Sequence, residues 1–195
     1  MGSAAHLVEQ LCIGVGALAW VLLAAVELLG PPTMAVHGTT AIALLLLPAL
    51  ALSYALGIVT DRLADLALDG ALSRSLRQRY FASDETYFNA YTAVASASPA
   101  LLPLLQRTRS VMRVCRGWAL NAALLLLVFN AVAWSRPLAS ALPPERYLTI
   151  HGGISVAIGL FWFAHRRLLR SELERLVHRS RAVAAAGPSL GRLRQ

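Results

Sequence analysis

The sequence contains no lysine, and charged residues of any kind are scarce. Charged residues make up 14% of the 195 residues, whereas soluble domains carry about 25%. Hydrophobic residues make up 57% of the chain, so the composition excludes an ordinary soluble domain and indicates a membrane protein. The net charge of +8 rests on arginine alone. An Ala-, Leu- and Arg-rich chain of this kind is typical of a GC-rich bacterial genome.

Other signals are also missing. Cys12 and Cys115 provide neither a CxxC pair nor a disulfide framework. The N-terminal segment MGSAAHLVEQ has no basic region, so a cleaved signal peptide is not expected. There is no Gly-rich phosphate loop and no basic strand interleaved with aromatics, so specific nucleic-acid binding is not predicted. The motifs also yield no set of nucleophile, base and oxyanion donor, and we therefore favour a non-enzymatic protein.

Four apolar segments reach the length that spans a membrane, about 20 residues for a hydrocarbon core of about 30 Å. They run over residues 11–29, 35–60, 117–135 and 147–164. Pro31-Pro32 and Pro143-Pro144 separate the members of each pair, because proline interrupts helical hydrogen bonding. The predicted fold is an all-α bundle of two transmembrane hairpins.

Arginine placement predicts the orientation of these spans. The loop at Pro31 has no arginine and residues 136–146 have two, whereas residues 62–116 have eight and the chain from residue 166 onward has eight. Because arginine is retained on the cytoplasmic side, both termini are predicted to be cytoplasmic, in a bacterial inner (plasma) membrane. The predicted parts are a first hairpin, a cytoplasmic helical segment, a second hairpin, and a C-terminal cytoplasmic helix and tail, at residues 1–60, 61–116, 117–165 and 166–195.

Local patterns extend the helices beyond the spans. The amphipathic run from Tyr54 to Arg79 predicts one continuous helix that leaves the membrane. Ser83, followed by Asp84 and Glu85, predicts a helix N-terminus. An internal repeat is also indicated, because Cys12 and Gly14 match Cys115 and Gly117 at an offset of 103. The two hairpins are therefore predicted to be a duplication with a shared orientation.

Three aspartates, Asp61, Asp65 and Asp69, recur every four residues and form one stripe on a helix. Carboxylates at a membrane surface can hold Mg²⁺ against a lipid or prenyl diphosphate. One hypothesis is therefore a Mg²⁺-dependent lipid-phosphate or prenyl-diphosphate enzyme. The alternative is that the aspartates pair with a basic stripe on a neighbouring helix, formed by Arg109, Arg113 and Arg116.

The aspartate run resembles two family motifs in part. Asp65, Asp69-Gly70 and Arg74 are similar to the aspartate motif of CDP-alcohol phosphatidyltransferases, which also bind Mg²⁺. The spacing differs by one residue, Ser73 stands where that motif has alanine, and the downstream glycine–aspartate half is missing. The triple aspartate resembles one motif of UbiA-type prenyltransferases, which need a second motif and more spans. Neither family is identified by these residues.

Polar residues within or beside the spans suggest a third activity. They are Glu27, His37, Asn121, Asn130 and His151. Glu27, His37 and His151 could handle protons or a metal near the outer surface, as in a proton- or ion-coupled carrier. The two asparagines can hydrogen-bond between helices.

The favoured function combines self-association with docking. Small residues on the fourth span, Gly152, Ser155 and Gly159, permit close helix approach, and a leucine seam follows at Leu169, Leu173 and Leu176. We expect a homo-oligomer that acts as a pore or channel, or as the membrane anchor of a complex. Its partner would dock on the Arg-rich cytoplasmic layer, which also attracts anionic lipids.

Overall fold

The computed structural model describes residues 2–30, 39–97, 101–135 and 143–190, and these residues are helical apart from short turns. No strand occurs within those ranges. The helices are α1 (Gly2–Leu29), α2 (Thr39–Ala64), α3 (Arg74–Gln78), α4 (Asp84–Ala97), α5 (Leu102–Ser135) and α6 (Pro144–Leu190), with π-helical turns at Asp65–Ser73 between α2 and α3. Helices α1, α2, α5 and α6 are long and apolar enough to span a membrane. The predicted all-α class and the four membrane-length helices are confirmed.

Two helices are much longer than a membrane is thick. At 1.5 Å per residue, the 34 residues of α5 and the 47 residues of α6 extend about 50 Å and about 70 Å. Their polar portions pack with α3 and α4 to form what we call the extramembrane layer. The end of the bundle that adjoins this layer is called the arginine-rich end, and the other the arginine-poor end.

Helices α1 and α2 are in backbone contact near the arginine-rich end. A Cβ placed on Gly14 would lie 1.6 Å from the Ser53 carbonyl oxygen, and one on Gly57 would lie 1.9 Å from the Gln10 carbonyl oxygen. Only glycine permits such an approach, because any larger residue would overlap the facing backbone. The two glycines therefore fix the crossing of the first hairpin.

Helix α1 ends at Gly30, which has a φ of +86° and donates its N–H to the Val26 carbonyl over 3.0 Å. A glycine in this left-handed conformation is a common helix terminator. The sequence pattern alone attributes the end of this helix to Pro31-Pro32. Residues 31–38, which include His37, lie outside the described residues.

The predicted helix from Tyr54 to Arg79 is helical up to Gln78, but its middle widens into the π-helical turns at Asp65–Ser73. The predicted start of α4 is confirmed. Ser83 Oγ accepts the N–H of Thr86 over 3.2 Å, and Thr86 Oγ1 accepts the N–H of Ser83 over 2.9 Å. This reciprocal arrangement is a capping box.

The extramembrane layer has its own apolar core. Its buried members are Tyr87, Val94, Leu105, Leu173 and Leu176, and Leu169 packs against them. The leucine seam of α6 is thus buried within the chain, where it packs against α4 and α5. It therefore cannot serve as an argument for an oligomer.

Candidate functional site

A cavity of about 500 Å³ lies where the bundle meets the extramembrane layer. We call it the junction cleft. It opens among the beginning of α1, the end of α2, α4, and the polar portions of α5 and α6. Its lining brings together residues far apart in sequence, including Gln10, Asp61, Tyr87, Arg113 and Glu172. The four membrane-length helices each contribute the polar turns next to their apolar segments, which explains why charges concentrate here.

Asp61 is the centre of a buried ion-pair network. It is 6% exposed, and its Oδ1 lies 3.1 Å from Arg116 Nη2 while its Oδ2 lies 3.8 Å from Arg113 Nε. Gln10 Nε2 donates to Oδ2 over 3.5 Å. Arg116 is itself buried and also contacts Asp65 through Nη1. One arginine thus joins two members of the predicted aspartate stripe.

Glu9 is a network member that the sequence interpretation missed. It is buried, its Oε1 lies 3.0 Å from Arg113 Nη1, and its Oε2 accepts a hydrogen bond from Ser110 Oγ over 2.9 Å. The available signal was its position two residues before the first apolar segment, one helical turn from Ile13. A carboxylate there must either reach solvent or find a cation, and Arg113 provides one.

Arg109 departs from the predicted basic stripe. Its Nε lies 3.4 Å from Glu172 Oε1, its Nη2 donates to the Tyr87 hydroxyl over 2.9 Å, and its guanidinium carbon lies 4.0 Å from the centre of the Tyr91 ring. Arg109 is seven residues from Arg116, about 10 Å along the helix. At that height α5 faces α4 and α6, and the described partners of Arg109 include neither Asp61 nor Asp65.

Burial changes the acid–base properties of this part of the cleft. The Glu172 carboxyl is 5% exposed, and desolvation raises its pKa, although the charge and hydrogen bond of Arg109 partly offset the effect. Desolvation also raises the pKa of Tyr87, again opposed by Arg109. Among the described residues, Glu172 Oε2 has no hydrogen-bond partner. His165 Nδ1 lies 3.3 Å from the Met112 carbonyl oxygen, so it donates there in the tautomer that carries that proton.

The aspartate stripe fits a cation site poorly. Asp61 and Asp65 present their oxygens to the guanidinium groups of Arg113 and Arg116, which would repel a divalent ion and would have to be displaced. The side chain of Asp69 lies outside what the structure describes. Within the described part of the chain, no three His, Cys, Asp or Glu residues are grouped to hold a metal. Magnesium binding stays a prediction, and the geometry favours arginine pairing.

The predicted intramembrane polar residues occupy two separate places. Asn121 is buried, donates Nδ2 to the Ile13 carbonyl over 2.7 Å, and accepts from Trp20 Nε1 over 3.2 Å. It therefore ties α5 to α1 within the first turns of their apolar segments, toward the arginine-rich end. At the arginine-poor end, Asn130 Oδ1 accepts from the Tyr147 hydroxyl over 2.8 Å and lies 3.2 Å from His151 Nδ1.

Two residues of the carrier hypothesis can therefore be located. His151 belongs to the small Asn130–Tyr147 cluster, and Glu27 is half-buried near the end of α1. The carrier hypothesis stays a prediction, because its third residue, His37, is not described.

The small-residue face of α6 has no neighbour among the residues that the structure describes. A Cβ on Gly152, Gly153 or Gly159 would meet no described atom within 4 Å, and Ser155 is exposed. In the most apolar stretch of α6, no residue is buried. The close helix approach predicted for this face is therefore not made to another helix described in the chain.

A second cavity, of about 690 Å³, lies on the extramembrane side of α6. We call it the basic groove. It is lined by Leu76, Arg79, Tyr80, Phe163, Arg166, Arg167 and Arg170. Glu174 stands beside it, within 3.0 Å of both Arg170 Nε and the Tyr80 hydroxyl. The groove joins the end of an apolar helix to the arginine-rich layer.

Comparison with protein-family models, with curated proteins and with solved structures finds no match. We therefore infer what the junction cleft and the basic groove can bind from the residues that line them.

Proposed function

We propose that this chain is a non-enzymatic multi-pass protein of a bacterial inner membrane that self-associates and anchors a cytoplasmic partner. Both termini are cytoplasmic, and the two hairpins derive from a duplication. The observation that carries the proposal is the basic groove, because Phe163 and three of its arginines belong to the same unbroken helix that spans the membrane. A partner bound there would be held rigidly at a fixed distance from the bilayer.

The lining of the basic groove indicates the chemistry of the partner. Arg79, Arg166, Arg167 and Arg170 line it, and among the described lining residues there is no carboxylate. Guanidinium groups recognise carboxylates in a planar, two-pronged geometry. Leu76 and Phe163 add apolar surface. An acidic protein segment with an apolar anchor suits this surface, and anionic lipids would add about 1 kcal/mol per arginine near the bilayer.

Self-association is supported by the open face of α6. Glycine and serine let two helices approach closely in a membrane. Gly152, Ser155 and Gly159 offer such a face, and no described part of the chain covers it. A second copy of α6 would use it without disturbing the junction cleft. Pore formation stays a prediction, because it depends on the geometry of that assembly.

Partner docking can be tested by charge reversal. The full chain would be tagged, extracted from its native membrane and analysed by quantitative mass spectrometry of co-purifying proteins. Arg167→Glu combined with Arg79→Glu should deplete a specific acidic partner at least about tenfold, since each lost charged hydrogen bond is worth about 1.5–3 kcal/mol. Arg175→Glu is the matched control, because Arg175 is exposed on the same helix outside the groove. An unchanged partner set in the groove variant would reject docking at this surface.

Self-association can be tested by light scattering after size-exclusion chromatography. Wild type should elute as a defined oligomer, and Gly159→Leu should shift it toward the monomer because leucine separates the helices. Leu160→Ile, on the exposed neighbour of Gly159, should leave the mass unchanged. A wild-type chain that is monomeric at micromolar concentration in mild detergent and in lipid discs would overturn the proposal.

A further inference from the structure

We propose that the junction cleft binds a phosphoethanolamine group, whether carried by a phospholipid or free in solution. The inference uses the membrane placement in the proposed function but is independent of partner docking. Four observations carry it: buried acceptors without donors, aromatic walls, an excess of guanidinium groups, and a position at headgroup depth.

Two residues that line the cleft have a buried acceptor oxygen without a donor, which favours a ligand that carries N–H groups. Gln10 is 2% exposed and Glu172 is 5% exposed, and both line the cleft. Among the described residues, Gln10 Oε1 and Glu172 Oε2 have no hydrogen-bond partner. A buried acceptor without a donor is destabilising, and a primary ammonium supplies three N–H donors. Tyr87 and Phe88 also line the cleft. The Arg77 guanidinium already lies 5.7 Å from the centre of the Tyr87 ring, so the exposed Phe88 ring is the one that can attract the ammonium.

The phosphate end is specified by the cationic lining. Five arginines and three carboxylates face the cleft: Arg62, Arg77, Arg109, Arg113 and Arg116, with Asp61, Asp65 and Glu172. The formal excess among these residues is two positive charges, and it is one when the buried Glu9 that pairs with Arg113 is counted. Arg62 is the most adaptable of these arginines, since its side chain is 79% exposed and its contact with Asp65 is 3.9 Å long. A guanidinium with such a loose partner can turn to a phosphate, which it binds through two parallel hydrogen bonds.

The position of the cleft matches the depth of lipid headgroups. Gln10 immediately precedes the first apolar segment, Asp61 follows the second, and Arg116 precedes the third. Ile58, Met112 and Leu169 form an apolar part of the lining, suited to the carbon atoms next to the phosphate. The volume of about 500 Å³ falls within the range of about 300–1,000 Å³ for small-molecule sites.

Other headgroups satisfy only part of this lining. A phosphate or phosphatidylglycerol group brings negative charge to the arginines but no cation to Glu172. A choline group brings a cation without an N–H. The Gln10 Oε1 and Glu172 Oε2 atoms would therefore still lack a donor. The primary ammonium paired with a phosphate meets both needs.

The test is a binding titration on the purified full chain in detergent, read by intrinsic tryptophan fluorescence and by native mass spectrometry. The probes are dioctanoyl phosphatidylethanolamine, dioctanoyl phosphatidylcholine and dioctanoyl phosphatidylglycerol, with phosphoethanolamine and inorganic phosphate as soluble arms. Phosphatidylethanolamine should bind at least about tenfold more tightly than the other two lipids. Equal binding of phosphatidylcholine or phosphatidylglycerol would overturn the proposal.

The soluble arms identify the source of the group. Tighter binding of the lipid than of phosphoethanolamine assigns a membrane lipid, and equal binding assigns a soluble ligand. Either result supports the proposed chemistry. Inorganic phosphate binding as tightly as phosphoethanolamine would overturn it, because the ammonium would then contribute nothing.

Variants place the ligand in the cleft. Glu172→Gln should weaken phosphatidylethanolamine binding at least about tenfold by removing the charge opposite the ammonium. Glu174→Gln, two residues further along α6 and exposed, should leave it unchanged. Arg62→Gln should weaken binding severalfold, and Arg175→Gln should not. Arg62 is largely exposed, so its variant keeps the test valid even where Glu172→Gln fails to fold.

Wild-type affinity in both cleft variants would reject the site. If lipid preference is absent while the groove variant still loses its partner, this inference fails and the proposed function stands. If the groove variant keeps its partner while the preference for phosphatidylethanolamine is observed, partner docking at the groove fails and this inference stands.

Discussion

The two ends of the helical bundle are held together by different means. At the arginine-rich end, Gly14 and Gly57 bring two backbones into contact, and buried charges from three helices form ion pairs around Asp61. At the arginine-poor end, the cluster of Asn130, Tyr147 and His151 joins neighbouring helices, while a Cβ on Gly152 or Gly153 would meet no described atom within 4 Å. Rigidity is concentrated beside the extramembrane layer, where a docked partner or ligand would need it.

The contrast predicts which substitutions should lower the free energy of unfolding most. A substitution at the arginine-rich end would change a helix crossing or leave a buried charge without its partner. A substitution at the arginine-poor end would alter a surface that is open to lipid or to a second copy. Equivalent changes at both ends therefore measure the contrast directly. Reversible unfolding in SDS, followed by circular dichroism, provides the free energy of unfolding for each variant.

The largest effect is expected for Gly14→Ala. Its new Cβ would fall 1.6 Å from the Ser53 carbonyl oxygen, and backbone cannot move aside as a side chain does. Overpacking costs about 1–3 kcal/mol and occasionally more, and we expect at least about 3 kcal/mol here, or loss of folded protein. Gly152→Ala is the matched control at the arginine-poor end, where a Cβ would meet no described atom within 4 Å, and its free energy of unfolding should not fall. Similar stabilities for both variants would contradict the asymmetry.

The next largest effect is expected for Arg116→Leu. It leaves the Asp61 carboxylate buried with Arg113 Nε 3.8 Å away and Gln10 Nε2 3.5 Å away. Removing one partner of a buried pair costs about 3–5 kcal/mol, and the remaining contacts place the loss near the lower figure. Adding Asp61→Leu should restore part of the stability because the buried carboxylate is removed together with its partner, whereas Asp65, which also loses Arg116, is partly exposed. Arg62→Leu, on an exposed side chain, should cost no more than about 1 kcal/mol.

A smaller contrast is expected between the two asparagines. Asn121→Ala breaks hydrogen bonds to Ile13 and Trp20 across two helices, and interhelical hydrogen bonds average about 0.6 kcal/mol with a maximum near about 1.7 kcal/mol. We expect about 1 kcal/mol. Asn130→Ala should cost less, since Tyr147 and His151 lie near an interface that can rehydrate them. A larger loss for Asn130→Ala than for Asn121→Ala would reverse the comparison.

The sequence predicts the helices better than it predicts their contacts. Hydropathy locates four spans and Ser83 locates the start of α4, because both signals are local. The partner of Arg109 was not predictable in this way, since the partner depends on which helix lies opposite α5 one or two turns from the membrane. Glu9 was overlooked for the same reason. The crossing at Gly14 and Gly57 is a contact between two helices, and neither glycine reveals it alone.

The smallest effects are opposite pH dependences of two glutamates on α6. Burial raises the pKa of Glu172 above its ordinary value of 4.5, so the folded chain binds more protons there and stability falls as pH rises through the raised pKa. Arg170 and Tyr80 lower the pKa of the exposed Glu174 below 4.5, so its contribution is present above 4.5 and is lost as pH falls through the lowered pKa.

Each slope should vanish in the corresponding glutamine variant. Relative to wild type, Glu172→Gln should gain stability as pH rises above about 4.5, apart from a constant loss of its contact with Arg109, and Glu174→Gln should change only below about 4.5. Unfolding titrations from acidic to neutral pH would measure both. Parallel profiles for the two variants would mean that the Glu172 carboxyl is as accessible to water as that of Glu174, and that the junction is not closed around it.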